Sequence, residues 1–177
     1  MNVRATLKAA TSDAHDRVDA AFGHDLASRA GYAAFLGAQA AALVPVEQAL
    51  EAAGAALLVE DWDAHRRAPL LAADLAALGL DLPAPQLAPC YPDDPALAGG
   101  LYVLEGSRMG GAILRRAVPA TLPTAFLSAR QSPGRWNRFV ASLDQLLYSR
   151  QRLDAAIEAA ALTFACFEQA AKRVRTA

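Results

Sequence analysis

At 177 residues, with a net charge of −1 and 54% hydrophobic residues, the chain has the size of one domain with a substantial core. The near-neutral charge gives no general electrostatic basis for holding nucleic acid or an anionic membrane, and no uninterrupted apolar run approaches a membrane span. The N-terminal MNVRATLKAATSDAH lacks the apolar core of a secretion signal, and Cys90 and Cys166 have no metal-ligand spacing, so the chain reads as cytoplasmic with reduced thiols.

No internal repeat, linker or domain boundary stands out, and β-branched residues never alternate over a useful length. The pattern is a series of helices punctuated by Pro, Gly and Asp: an all-α single domain over 1–177. The first helix is predicted over Val3–Phe22, with Val3, Leu7, Ala10, Ala14, Val18 and Ala21 on its apolar face and Gly23 as its stop. Ser28 caps a second helix to about Ala53, ended by Gly54, with a kink expected at Pro45. Asp61 or Asp63 caps a third, through Leu78 to Gly79. The Pro-rich LDLPAPQLAPCYPDDP is a loop. Asp93 or Asp94 then caps a glycine-interrupted helix, with Pro95 tolerated in its first turn. A short piece near Thr124–Ala129 follows, then a helix from Ser132-Pro133 to about Tyr148. The last helix, Arg150 to Arg175, is expected to bury Leu153, Ile157, Leu162, Phe164 and Phe167.

The run LYVLEGSRMGGAILRR, Leu101 to Arg116, breaks the Ala-rich habit of the chain. Gly106, Gly110 and Gly111 stand where Ala or Leu would be preferred, at about 2–3 kcal/mol for the three. Two reasons fit. Glycines let a helix bend, and they let backbone groups approach a flat ligand more closely than any side chain allows; the plainer alternative is close helix–helix packing through small residues.

Two separated pieces resemble the haem oxygenase family: LKAATSDAHDRVDAAF near the start and YVLEGSRMGGAILRR in mid-chain. HRRAPLLAADLAALG and the C-terminal WNRF and FEQAA are more loosely similar, so the likeness runs through nearly the whole chain in order. It is nearest to the bacterial, biliverdin-producing branch. The resemblance implies a helical bundle with a kinked Gly-rich distal helix. It implies His15 as the proximal ligand of haem iron, a role that suits imidazole. Asp19, at i+4, shares the helix face and is placed to fix the imidazole tautomer. Lys8, seven residues before His15, lies about 10 Å away along the axis, a reach that suits a haem propionate. Arg135 and Arg138, flanking Trp136, are further propionate candidates, and Tyr102 is a candidate at the pocket edge.

On the distal side the resemblance places Gly106, Ser107, Gly110 and Gly111, a neutral backbone wall that steers iron-bound oxygen toward the macrocycle edge while ordered water delivers protons. Many members carry an Asp in this turn, whereas here Ser107 occupies the place, leaving the hydroxyl and the glycine carbonyls to organise water. His24 and His65 fall outside the matched positions and read as surface residues, Arg108 as surface or structural, and Met109 as core. The implied activity is oxidative cleavage of haem, both substrate and cofactor, to biliverdin, carbon monoxide and ferrous iron using O2. No Rossmann fingerprint or Fe–S cysteine pattern is present, so electrons come from an external ferredoxin- or reductase-type donor, for which Arg115 and Arg116 offer a docking patch. The resemblance also implies a bilin-accepting photoreceptor as a partner. The alternative is a non-catalytic haem carrier or sensor with the same fold, suggested by the missing distal Asp.

Overall fold

The computed structural model describes residues 2–23, 25–129 and 134–176. Among them there is no strand, and the main apolar core draws on every α-helix, with two smaller clusters beside it. Helix α1 (Val3–Ala21) begins where the Asn2 side chain accepts from the Ala5 N–H at 3.0 Å. Its buried stripe is Val3, Leu7, Thr11, Ala14 and Ala21. Thr11 therefore replaces the expected Ala10, which is exposed; its hydroxyl donates to the Leu7 carbonyl at 2.8 Å, so burial leaves nothing unpaired.

Ser28 caps α2 (Arg29–Ala52) through the Gly31 N–H, and the helix runs unbroken through Pro45. It has the length and apolar composition to cross a membrane, but more than half of that window is buried against the rest of the chain. A four-residue turn, α3 (Ala55–Leu58), follows Gly54, whose φ of 93° suits glycine.

The expected third helix is two: α4 (Trp62–His65) and α5 (Ala68–Ala77). The break follows from Pro69, which has no N–H to give the His65 carbonyl and whose ring would clash with it. That carbonyl accepts from the Arg108 guanidinium instead. The N–H groups of Arg67 and Ala68 turn to the Glu47 carboxylate, at 2.8 and 2.9 Å.

Asp93 caps α6 (Asp94–Leu114), which is continuous through all three of its singled-out glycines. A 3-10 turn (Arg115–Ala117) leads to α7 (Ala125–Ser128), whose first N–H groups are held by the buried carboxylate of Asp74. Helix α8 spans Arg135–Leu146; the predicted start at Ser132-Pro133 lies outside the described residues.

Helix α9 (Arg150–Thr176) is the axis on which α1, α2 and α6 rest. The contact with α6 is backbone to backbone. A Cβ on Gly99 would sit 2.1 Å from the Ala156 carbonyl oxygen, and one on Gly100 would run into Tyr91 and Leu50. These two glycines, which the sequence does not distinguish, set how closely α6 approaches its neighbours. Leu153, Phe164 and Phe167 are buried as expected, but Leu162 is 52% exposed and Met109 on α6 is 49% exposed, so neither belongs to the core.

Candidate functional site

The exposed His15 ring stands on α1 beside the place where α1, α6 and α9 meet. Ala14 is buried there with Val103, Ala160 and Phe164, and Val18 and Tyr102 cover the edge. The imidazole meets Phe164 edge-on, centroids 5.9 Å apart. Its Nδ1 lies 3.3 Å from the Asp19 carboxylate and 3.9 Å from that of Asp16. A carboxylate at that position favours the proton on Nδ1 and leaves the lone pair on Nε2, the arrangement an imidazole ligand needs. Lys8, on the same helix, is exposed.

On α6 the i, i+4 spacing puts Tyr102, Gly106 and Gly110 in one row. A Cβ on Gly106 would find only the rim of Trp136, at 4.0 Å, and one on Gly110 would find nothing within 4 Å. Neither glycine is there to admit another helix. Gly111 differs: its Cβ would lie 3.4 Å from the Leu127 carbonyl oxygen, so it faces α7 and not the open side. Ser107 also turns away from the row. Its hydroxyl accepts from Arg67 at 2.6 Å and donates to the Leu104 carbonyl at 2.8 Å.

Trp136 of α8 stands between the two helices. Its ring lies 5.9 Å from that of Tyr102 on α6, and the Arg4 guanidinium of α1 sits 5.8 Å from its centre. Its indole N–H is buried with no hydrogen-bond partner. Burial raises the Tyr102 phenol above its ordinary pKa. The open glycine row and the orphaned indole donor are what a flat ligand with acceptor groups would complete, so these residues fit a haem. The flanking arginines point elsewhere: Arg135 donates to the Glu60 carbonyl at 2.6 Å, and the exposed Arg138 reaches back over Gly134.

Behind α6 lies a buried charged network that the sequence reading places at the surface or does not single out. His65 is 7% exposed, not a surface residue, because its Nε2 pairs with the Glu105 carboxylate in the interior. Arg108 is structural, donating to the His65 carbonyl and facing Glu105 at 3.8 Å. Arg67 lies over the Phe126 ring. Glu47 and Glu105 are lone charges in apolar helical runs, and that was the one signal available for them. His24 lies outside the described residues.

Burial lowers the pKa of His65, and the contact with Glu105 offsets this only partly. Burial alone would raise Glu105, but His65 and Arg108 together hold it below the usual carboxylate value. Glu105 is thus ionised at neutral pH and His65 neutral, donating its Nε2 proton. The unfolded histidine takes up a proton near pH 6.5 while the folded one resists until lower pH, so stability falls as pH drops through that window. The slope approaches about 1.4 kcal/mol per pH unit for one proton. His65→Gln keeps an N–H donor but does not titrate. Urea-unfolding midpoints from pH 7 downward should therefore flatten for this variant just below pH 6.5. Curves parallel to those of the parent chain would remove His65 from this role.

Two cavities of about 240 and 260 Å³ lie among the described residues, the first against the charged network and the second beside Leu58, Phe139 and Leu143. Neither is lined by His15, Gly106 or Gly110.

No protein-family model matches the chain. It is 35% identical over 117 residues to a haem oxygenase of Xanthomonas campestris pv. campestris (strain 8004), covering 63% of this chain and 70% of that protein. Its fold is similar to the haem oxygenase of Neisseria meningitidis solved in NO- and CO-bound forms. There the TM-score is 0.80 at 22% identity, over 98% of this chain and 92% of that one.

Proposed function

The chain belongs to the haem oxygenase family, and from that premise we propose that it binds haem as substrate and opens the ring to biliverdin, carbon monoxide and ferrous iron. Bound haem supplies the iron at which dioxygen is reduced, with electrons from an external donor. The chain's own residues bind, orient and shield. His15 offers Nε2 to the iron while Asp19 holds the Nδ1 proton 3.3 Å away. Gly106 and Gly110 give a wall of backbone on the facing side, without side chains to crowd the ligand. Tyr102 and Trp136 close one edge, and the Trp136 N–H is available to an acceptor on the ligand. Lys8, two turns before His15 on α1, is the residue we assign to a propionate. The exposed Arg116, just past the end of α6, is the surface proposed for the electron donor.

The observation that supports this reading is the His15–Asp19 dyad on α1, with, on α6, a glycine row where a Cβ would meet nothing closer than the rim of Trp136. The test is direct. Haem titrated into the protein should give a shifted Soret band. Ascorbate in air should then replace that band with bilin absorption and release carbon monoxide. A Soret band that persists under those conditions would leave a haem carrier, the reading favoured by the engaged Ser107 hydroxyl. No shift on titration would remove haem binding itself.

A further inference from the structure

The cavity of about 240 Å³ on the far side of α6 is unusual in what lines it: Asp61, His65, Arg66, Arg67, Arg108 and Arg135. Four guanidinium groups converge on one small space. Arg67 is 5% exposed and Arg108's side chain 6%. Burial of an arginine is costly unless its charge and its donors are met.

Arg66 is met by the Glu51 carboxylate at 2.9 Å and that of Asp63 at 3.4 Å, whereas Arg67 and Arg108 are only partly met. Both Glu47 oxygens are taken by backbone N–H groups, and Glu105 is shared between His65 and Arg108. Arg67 spends one terminal nitrogen on the Leu104 carbonyl and the Ser107 hydroxyl. The Nε atoms of Arg66, Arg67 and Arg108 are buried without a hydrogen-bond partner. Arg135 adds a fourth cation at the wall, anchored through one nitrogen to the Glu60 carbonyl. One carboxylate, Asp61, also lines the space, but it is exposed and stands at the outer side.

We propose that this cavity binds a small oxyanion, a carboxylate or phosphate group held by Arg67, Arg108 and Arg135. The fork of N–H donors on each guanidinium matches two oxygens of such a group, and a space of this volume admits one small organic acid or phosphate. Burial, and then the neighbouring Arg108 charge, push Arg67 down to about 9, the direction expected of a cation short of anionic company. An occupant would be coupled to α6, because Arg67 grips the turn that contains Leu104 and Ser107. Neither Gly106 nor Gly110 lines this cavity, and its test needs no haem.

The test uses the full haem-free chain, titrated calorimetrically with inorganic phosphate and separately with acetate, ionic strength being fixed with sodium chloride. One saturable site is expected for at least one of the two, and which of them binds decides the source. Arg135→Gln, on a half-buried side chain and checked for native circular dichroism, should weaken binding about tenfold or more, the worth of a charge-assisted contact. Asp61→Asn should tighten it, and Asn suits the left-handed backbone there, φ 55°. Absence of saturable binding by either anion overturns the proposal. So does unchanged affinity in both variants, which would mark an adventitious ion only.

Discussion

Haem bound to the His15→Ala chain is expected to lack the axial imidazole signature of the parent protein in its electron-spin and resonance Raman spectra, and ring opening should stop. The fold should survive. His15 is more than half exposed and lies outside the core, and exposed positions of that kind usually change stability within about 0.5 kcal/mol. A loss of turnover in this variant is therefore a loss of ligation, not of structure. Added imidazole should restore the axial signature by occupying the vacated place. Asp19→Asn tests the partner. It removes the charge that favours the Nδ1 proton, and loss of such an outer partner typically costs about 10–100-fold in metal affinity or activity. Unchanged axial ligation in His15→Ala would show that another residue holds the iron.

Much of the fold is legible from local chemistry. Ser28, Asp93, Gly54 and Gly79 punctuate the chain where they are expected to, because capping and left-handed turns depend on a few neighbouring residues. The break at Arg66–Arg67 is local too, since Pro69 carries it, but a proline in a first turn looks permissible until the His65 carbonyl it would strike is considered. The dyad of His15 and Asp19 is visible as an i, i+4 pair, and the structure brings the two within 3.3 Å.

What escapes the sequence depends on partners far along the chain. Five glycines sit on α6, and their reasons differ. Gly99 and Gly100 are required by Ala156 of α9, Tyr91 and Leu50; Gly111 faces Leu127 of α7 at contact distance; Gly106 and Gly110 are required by nothing in the protein. No pattern within α6 can separate these cases, because the deciding atoms lie on other helices. The same holds for charge. Outside the matched motifs His65 reads as a surface residue and Arg108 as surface or structural, whereas His65, Arg67 and Arg108 each bond a partner tens of residues away. The likeness to a family supplies roles for single positions such as His15, but it is silent about a network that the matched motifs do not contain.

That network carries the largest expected effect on stability. Glu47→Ala should cost about 3–5 kcal/mol, a large share of the roughly 5–15 kcal/mol that holds a typical domain. The carboxylate is 2% exposed and reaches from α2 to the start of α5, where it accepts the Arg67 and Ala68 N–H groups. Truncation strands both donors in the interior and removes the carboxylate that most favours the buried Arg67 cation, which would then face Arg108 less well compensated. Burial raises the pKa of Glu47 even against those contacts, so the ionised carboxylate itself gains little on folding. That does not protect the variant, because the cost is set by what is left behind unpaired. Glu47→Gln should fall between the two, since its amide oxygen can still serve one N–H while its NH2 group opposes the other. Replacing Glu47 and Arg67 together with methionine should recover part of the loss, by removing charge and partner at once. Urea unfolding of the three variants measures this order directly, and a Glu47→Ala chain within about 1 kcal/mol of the parent would show that water already serves those donors.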